Sequence, residues 1–449
     1  MDDTTARLAD YALATRFADF TPTVIHETHR RLIDSVACAF GAWHDPLCRA
    51  ARAVAGRQDG PLSAGVWGCD WRTSVESAAF ANGTQVRMLD LSDMYRVKSG
   101  GHPSDVIAAV LAAADMLRAD GHTAIEGIVV AYEVYCTFCE TIDVTAQGWD
   151  QPTFSVLGAA IGAAKVMGLD RERMGHAIAL ALAPNLALAQ TRTGDLSKWK
   201  GAAAANAARN GVFAALLARE GVSGPSAIFE GKGGFWDVVG RFDWRIGAGE
   251  PRICHTNIKR YPVCYHGQGA IDAALALRKE VALDHIERIR IGTYAQAVHY
   301  MGEEASRWAP RTRETADHSL PYVVAVALRD GDVDMNSFDT GRLFDPAIGR
   351  LMAATIVEED ADLSARYPVS ASCRLDILLR NGTRVAHEVR SPAGHSDRPL
   401  DDAALDAMFL SLAKGFCSAA SARVALDALW HFDSARDVRE VLALFQADA

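Results

Sequence analysis

Alanine and glycine crowd the helical stretches of this chain, and that constrains its fold more than any other feature. Gly158-Ala159-Ala160-Ile161-Gly162-Ala163-Ala164 and Gly201-Ala202-Ala203-Ala204-Ala205-Asn206-Ala207-Ala208 present faces with almost no side-chain bulk. Helices with such faces approach closely, so the expected architecture is a tightly packed, largely buried bundle. Around these runs apolar residues recur every three or four positions. Val24, Ile25, Leu32, Val36 and Phe40 predict an amphipathic helix over 23–43. Pro103-Ser104-Asp105 opens another, with Val106, Val110, Leu111 and Leu117 on one face and Gly121 as its stop. Thr123 and Glu126 read as a capping box for the helix that carries Tyr132 and Tyr135. Further helices are expected over 154–167, over 170–189 with a break at Pro184, and over 201–218.

The pattern changes near Pro262. Arg288 and Arg290 alternate with Ile289 and Ile291, a short strand signal. Residues 370–379 alternate, meet Asn381-Gly382, and continue as 385–389, which predicts a β-hairpin with a type I′ turn. Helical patterns at 267–280, 320–329 and 345–358 are interleaved, and helix returns from Asp401 onward. The chain therefore reads as mainly α with an inserted α+β lid. The expected domains are an all-helical one from 1–261 plus 394–449 and an α+β one at 262–393.

Composition removes several function classes. The 449 residues are 49% hydrophobic and 23% charged, ordinary for a globular protein. The most apolar stretch, 177–189, is broken by Pro184 and Asn185, so no membrane span is expected. A net charge of −10 argues against a nucleic-acid partner, yet leaves room for a locally cationic pocket. The acidic start Met1-Asp2-Asp3 lacks the basic segment of a signal peptide, so the expected location is cytoplasmic. Nine cysteines in such a chain predict free thiols, and the lone Cys136-x-x-Cys139 pair reads as packing. Gly231-Lys232-Gly233-Gly234 lacks the spacing of a phosphate loop, and His26-Glu27-Thr28-His29 is not the zinc-protease pattern. No G-x-G-x-x-G or G-x-S-x-G motif is present, and no metal or organic cofactor is expected.

Four motifs can carry chemistry. Asp90 and Asp93 precede Gly100-Gly101-His102-Pro103, which places a histidine at a helix start, where anions are favoured. Asp195-Leu196-Ser197-Lys198-Trp199-Lys200 introduces a lysine into a small-residue helix. Only eight of the 46 basic residues are lysines, so each had an arginine alternative. Asn257-Ile258-Lys259-Arg260-Tyr261 runs on to Cys264-Tyr265-His266-Gly267-Gln268, enough cation to hold a polycarboxylate at a domain boundary. Asp317-His318-Ser319-Leu320-Pro321-Tyr322 opens an apolar helix. Helix caps, a surface lysine, a charged hinge and core packing account for the same residues equally well at this stage.

Together these motifs resemble the MmgE/PrpD family, along with Ala81-Asn82-Gly83-Thr84, Phe229-Glu230-Gly231 and Ser391-Pro392-Ala393-Gly394. The resemblance implies an all-helical domain with a smaller α+β lid, a homodimer, and a cofactor-independent lyase acting on a small di- or tricarboxylate. It puts Asp90, His102, Lys200, Lys259 and Tyr322 at the catalytic site, with Asp93, Gln151, Arg260, His266, Gln268 and His318 as substrate-binding candidates. Met94 stands where the family's D-x-x-D pattern ends in threonine, and Asp150-Gln151 where decarboxylase-like members carry histidine. The segment Tyr261-Pro262-x-x-Tyr265-His266-x-Gln268 is similar to the dehydratase pattern. The implied activity is that of a 2-methylcitrate dehydratase of propionate metabolism. A cis-aconitate decarboxylase, an iminodisuccinate epimerase and a non-catalytic carboxylate-binding protein are the alternatives.

Overall fold

The computed structural model describes residues 1–194 and 196–448; Asp195 of the second motif lies outside them. The chain forms two compact units. The first comprises Met1–Thr191, Trp199–Thr256 and the residues from Asp401 on; the second comprises Arg192–Lys198 and Asn257–Leu400.

The first unit is helical apart from two short antiparallel pairs, Ser63–Gly65 with Arg72–Ser74 and Tyr95–Arg96 with Gly100–Gly101. Its centre is built from helices Pro152–Val166, Trp199–Arg219, Gly121–Thr141, Val75–Arg87 and Ile107–Leu117. Small residues set the spacing, as the sequence predicts. A Cβ on Gly211 would lie 2.7 Å from the Val156 carbonyl, and one on Gly162 would lie 2.8 Å from the Gly127 carbonyl. The helix Pro22–Gly41 starts on Pro22 with Thr21 as its cap. It is met by helix Asp402–Leu412 from the C-terminal segment, and the Phe40 ring stacks on Phe416 at 4.0 Å. No helix among the described residues is long and apolar enough to cross a membrane. All nine cysteines are free thiols.

The second unit holds a four-stranded sheet in the order 355–359, 286–293, 373–379, 384–389. The first pair is parallel and the other two antiparallel. Helices Gln268–Leu277 and Leu320–Asp330 pack with it around a core of Ile289, Ile291, Leu375, Ile377 and Val324.

Five local expectations are corrected. Gly121 does not end the preceding helix, which stops at Leu117 with Arg118 in the left-handed conformation. Gly121 begins the next helix, and its cap is Asp120, which accepts from the Thr123 N–H at 2.8 Å, rather than the Thr123–Glu126 box. Pro103 opens a 3-10 turn, Pro103–Val106, before the α-helix proper. The helix expected over 345–358 ends at Ala353, and Thr355–Glu359 is a strand; the β-branched Thr355, Ile356 and Val357 pair with a neighbouring strand. The hairpin exists, but its turn is not type I′, which needs positive φ at both central residues. Only Gly382 has positive φ, and its N–H donates to the Leu379 carbonyl, closing a three-residue loop.

Candidate functional site

Helix Val75–Arg87 delivers Arg87 at its last position, and three residues beyond its end the backbone at Asp90 turns left-handed, with φ +50°. Asp and Asn tolerate that region better than other residues with a Cβ, at a cost in strain. The turn points the Asp90 carboxylate back at its own helix, where Arg87 Nη1 donates to Oδ1 at 3.1 Å. The second oxygen lies 2.9 Å from Lys200 Nζ. Lys200 enters from the first turn of Trp199–Arg219 and is 4% exposed, so it is no surface lysine.

His102 completes the cluster. Its Nδ1 lies 2.7 Å from the Asp93 carbonyl oxygen, an acceptor only, so Nδ1 carries the hydrogen. That leaves the Nε2 lone pair, which accepts from Arg87 Nη2 at 2.8 Å and lies 3.9 Å from Asp90 Oδ1. Arg87 thus holds the histidine and the carboxylate together. It is 3% exposed and absent from the sequence motifs above; its one signal there is its position three residues before Asp90.

Asp93 supports this arrangement from beneath. Its N–H donates to Asp34 Oδ2 at 3.0 Å, and its Oδ1 accepts from the Ser104 N–H at 2.9 Å. Burial pushes the Asp93 carboxyl above the usual carboxylate range, against the pull of Arg31 and Ser104. Asp93 is therefore a scaffold for the His102 loop rather than a surface carboxylate. Gly101 is needed for packing: a Cβ there would collide with the Tyr135 hydroxyl and Gln151 Oε1. Gln151 accepts from Tyr135 through Oε1, and its buried Nε2 has no hydrogen-bond partner among the described residues. Met94, at the family's threonine position, is buried.

The remaining candidates lie in the second unit. Lys259 is 1% exposed, with Nζ 3.4 Å from the Val263 carbonyl. Gln268 is fully occupied by the chain around it. Its Oε1 accepts from the Arg260 and Tyr261 N–H groups, and its Nε2 donates to the Tyr261 and Val263 carbonyls. It clamps the Lys259 loop and has no free polar atom to offer. The Arg260 side chain is exposed. His266 Nδ1 meets the Tyr294 hydroxyl at 2.7 Å, and its ring stacks on Tyr300. His318 pairs with Asp317. Tyr322 is buried in the apolar core, and its hydroxyl donates to the Ser337 carbonyl at 2.6 Å. That hydrogen is committed to the backbone, so in this conformation Tyr322 is a packing residue.

The family model for the MmgE/PrpD N-terminal domain matches residues 6–245, and that for the C-terminal domain matches 261–433. The chain belongs to the MmgE/PrpD family. Among similar MmgE/PrpD proteins, 2-methylcitrate dehydratase of Salmonella typhimurium is 26% identical over 416 residues, spanning 85% of this chain and 84% of that protein. 2-Methylcitrate dehydratase of Cupriavidus necator is 27% identical over 429 residues, 88% of this chain and 87% of that protein. Human cis-aconitate decarboxylase is 25% identical over 419 residues, 87% of this chain and 83% of that protein. Dehydratases and decarboxylases of this kind are lyases, and this MmgE/PrpD chain is an enzyme of that class.

Proposed function

We propose that this lyase dehydrates a small tricarboxylate of the 2-methylcitrate type without a metal or organic cofactor, with Asp90, His102 and Lys200 at its catalytic centre. The observation that supports it best is the pairing of one carboxylate with two buried cations, beside a histidine whose tautomer is set by a backbone carbonyl.

The proton to be removed is alpha to a carboxylate and weakly acidic. Its removal needs a positioned base and cations over the developing enediolate. His102 Nε2 is the base in this reading, because Nδ1 is tied to the Asp93 carbonyl. Asp90 is a poorer base, since a cation stabilises each of its oxygens. Its part is to hold Arg87 and Lys200 in place until substrate arrives. A substrate carboxylate then competes for Arg87, since charge-assisted pairs are the stronger ones, and Nε2 is released as the guanidinium turns to the anion. Lys200 neutralises the carboxylate next to the reacting carbon, and the imidazolium formed at His102 returns its proton to the departing hydroxyl. Lys259 is proposed as a further substrate cation, on the strength of its motif and its burial. Gln151 Nε2 offers a donor for a substrate oxygen. Cytoplasmic location, a homodimer and a place in propionate metabolism remain part of the proposal.

The test is turnover on a panel of 2-methylcitrate, citrate, cis-aconitate and iminodisuccinate, read as water loss, carbon dioxide release and change of optical rotation. Dehydration of 2-methylcitrate is expected to be fastest. Release of carbon dioxide from cis-aconitate as the main reaction would replace this reading with a decarboxylase. Thermal stabilisation by the panel without turnover would replace it with a binding protein.

A further inference from the structure

The motif Ser391-Pro392-Ala393-Gly394 takes no part in the chemistry above, yet its loop is built against one place. Gly394 has φ +87°, and a Cβ there would collide with the carbonyl oxygen of Ile258, the residue before Lys259. The Ser396 N–H donates to Asn257 Oδ1 at 2.7 Å, one residue upstream on the same stretch. The loop is closed on itself: the Gly394 N–H donates to the Arg398 carbonyl at 2.9 Å, and the Arg398 N–H to the His395 carbonyl at 2.8 Å. Asp272 anchors it to helix Gln268–Leu277, accepting at Oδ2 from the Ala393 N–H at 2.8 Å and from Arg398 Nη1 at 3.0 Å. The other Asp272 oxygen accepts from the Tyr261 hydroxyl at 2.8 Å. Residues 257–261 are therefore gripped upstream by the loop and downstream by Asp272 and Gln268.

A lysine carries a flexible four-carbon stem, and its ammonium keeps one place only when the backbone beneath it does. We propose that the 391–398 loop is a positioning device for Lys259, seating the Ile258 carbonyl against the bare Cα of Gly394 and holding Asn257 through the Ser396 N–H. This rests on the reading of Lys259 as a substrate cation. It assigns the loop a role in substrate affinity rather than in folding alone.

The experiment is a double-mutant cycle. Gly394→Ala and Asn257→Ala are made alone and on a Lys259→Ala background, with Asn257→Asp as the conservative variant that keeps an acceptor for Ser396. 2-Methylcitrate affinity, kcat, KM and Tm are measured for each. A misplacement of about 1 Å costs up to about 10²-fold, so Gly394→Ala is expected to lower kcat/KM by about that much, chiefly through KM. Asn257→Ala should lose about tenfold, and Asn257→Asp should stay near wild type. On the Lys259→Ala background neither loop substitution should weaken 2-methylcitrate affinity further, because the positioned group is gone. Should Gly394→Ala fail to fold, Asn257→Ala completes the cycle. Losses that add to a damaging Lys259→Ala, or a lowered Tm with unchanged KM, would overturn the loop's role and leave Lys259 in place. A Lys259→Ala enzyme with wild-type kinetics would remove both.

Discussion

At Asp90 one carboxylate answers two cations, and the substitutions around it separate their parts. Lys200→Ala leaves the carboxylate with Arg87 and should chiefly raise KM. A charge-assisted contact contributes about 1.5–3 kcal/mol, or about 10–10²-fold in affinity. Wild-type KM in this variant would make Lys200 a structural ion-pair partner only. Asp90→Ala strands two buried cations, so it should cost about 3–5 kcal/mol of stability and show first in Tm. Asp93 gives a pH dependence. Its carboxyl is raised in the folded state, so it contributes stability below the ordinary carboxylate range and loses it as pH rises through the raised value. Asp93→Asn does not ionise, so denaturant melts over a pH series should show wild type losing ground to this variant as pH rises. A difference that stays constant with pH would contradict the assignment.

Among the elements, close helix contacts carry the sharpest expectation. Gly211→Leu drives a side chain into the Val156 carbonyl and the Ala160 N–H of the facing helix. Overpacking of this kind should cost about 1–3 kcal/mol, measured as a lower Tm, while kinetics per folded molecule are kept. These contacts were legible in the sequence because small residues at helical spacing have few other uses. The candidate cluster was legible in part. His102-Pro103 and the buried Lys200 stood out, because histidine before proline and lysine in an alanine-rich helix are each unusual. Arg87 was hidden, since an arginine near a helix C-terminus usually satisfies the dipole on the surface. Tyr322 is expected as a catalytic residue and Gln268 as a substrate-binding one because a motif cannot say where a hydroxyl or an amide points, and both turn to backbone groups. The strand Thr355–Glu359 was hidden because its parallel partner is distant in sequence, at Ile286–Thr293.

For the whole molecule, Asp90, His102, Lys200 and Arg87 belong to the first unit and Lys259 to the second. Both oxygens of Asp90 already face cations, which disfavours a metal ion on that carboxylate. Turnover should therefore survive chelation, and loss of activity with EDTA that a divalent cation restores would contradict this. The proposed dehydration depends most directly on His102. The deciding measurement is 2-methylcitrate dehydration by wild type and His102→Asn, followed through the ultraviolet absorbance of the new double bond and normalised to the folded fraction from thermal melts. Wild type is expected to turn over, and His102→Asn to fold, lose about 10²-fold or more in kcat, and drop one limb of the pH–rate profile. A variant with lowered Tm but normal turnover per folded molecule would make His102 a loop fastener and contradict its role as the base.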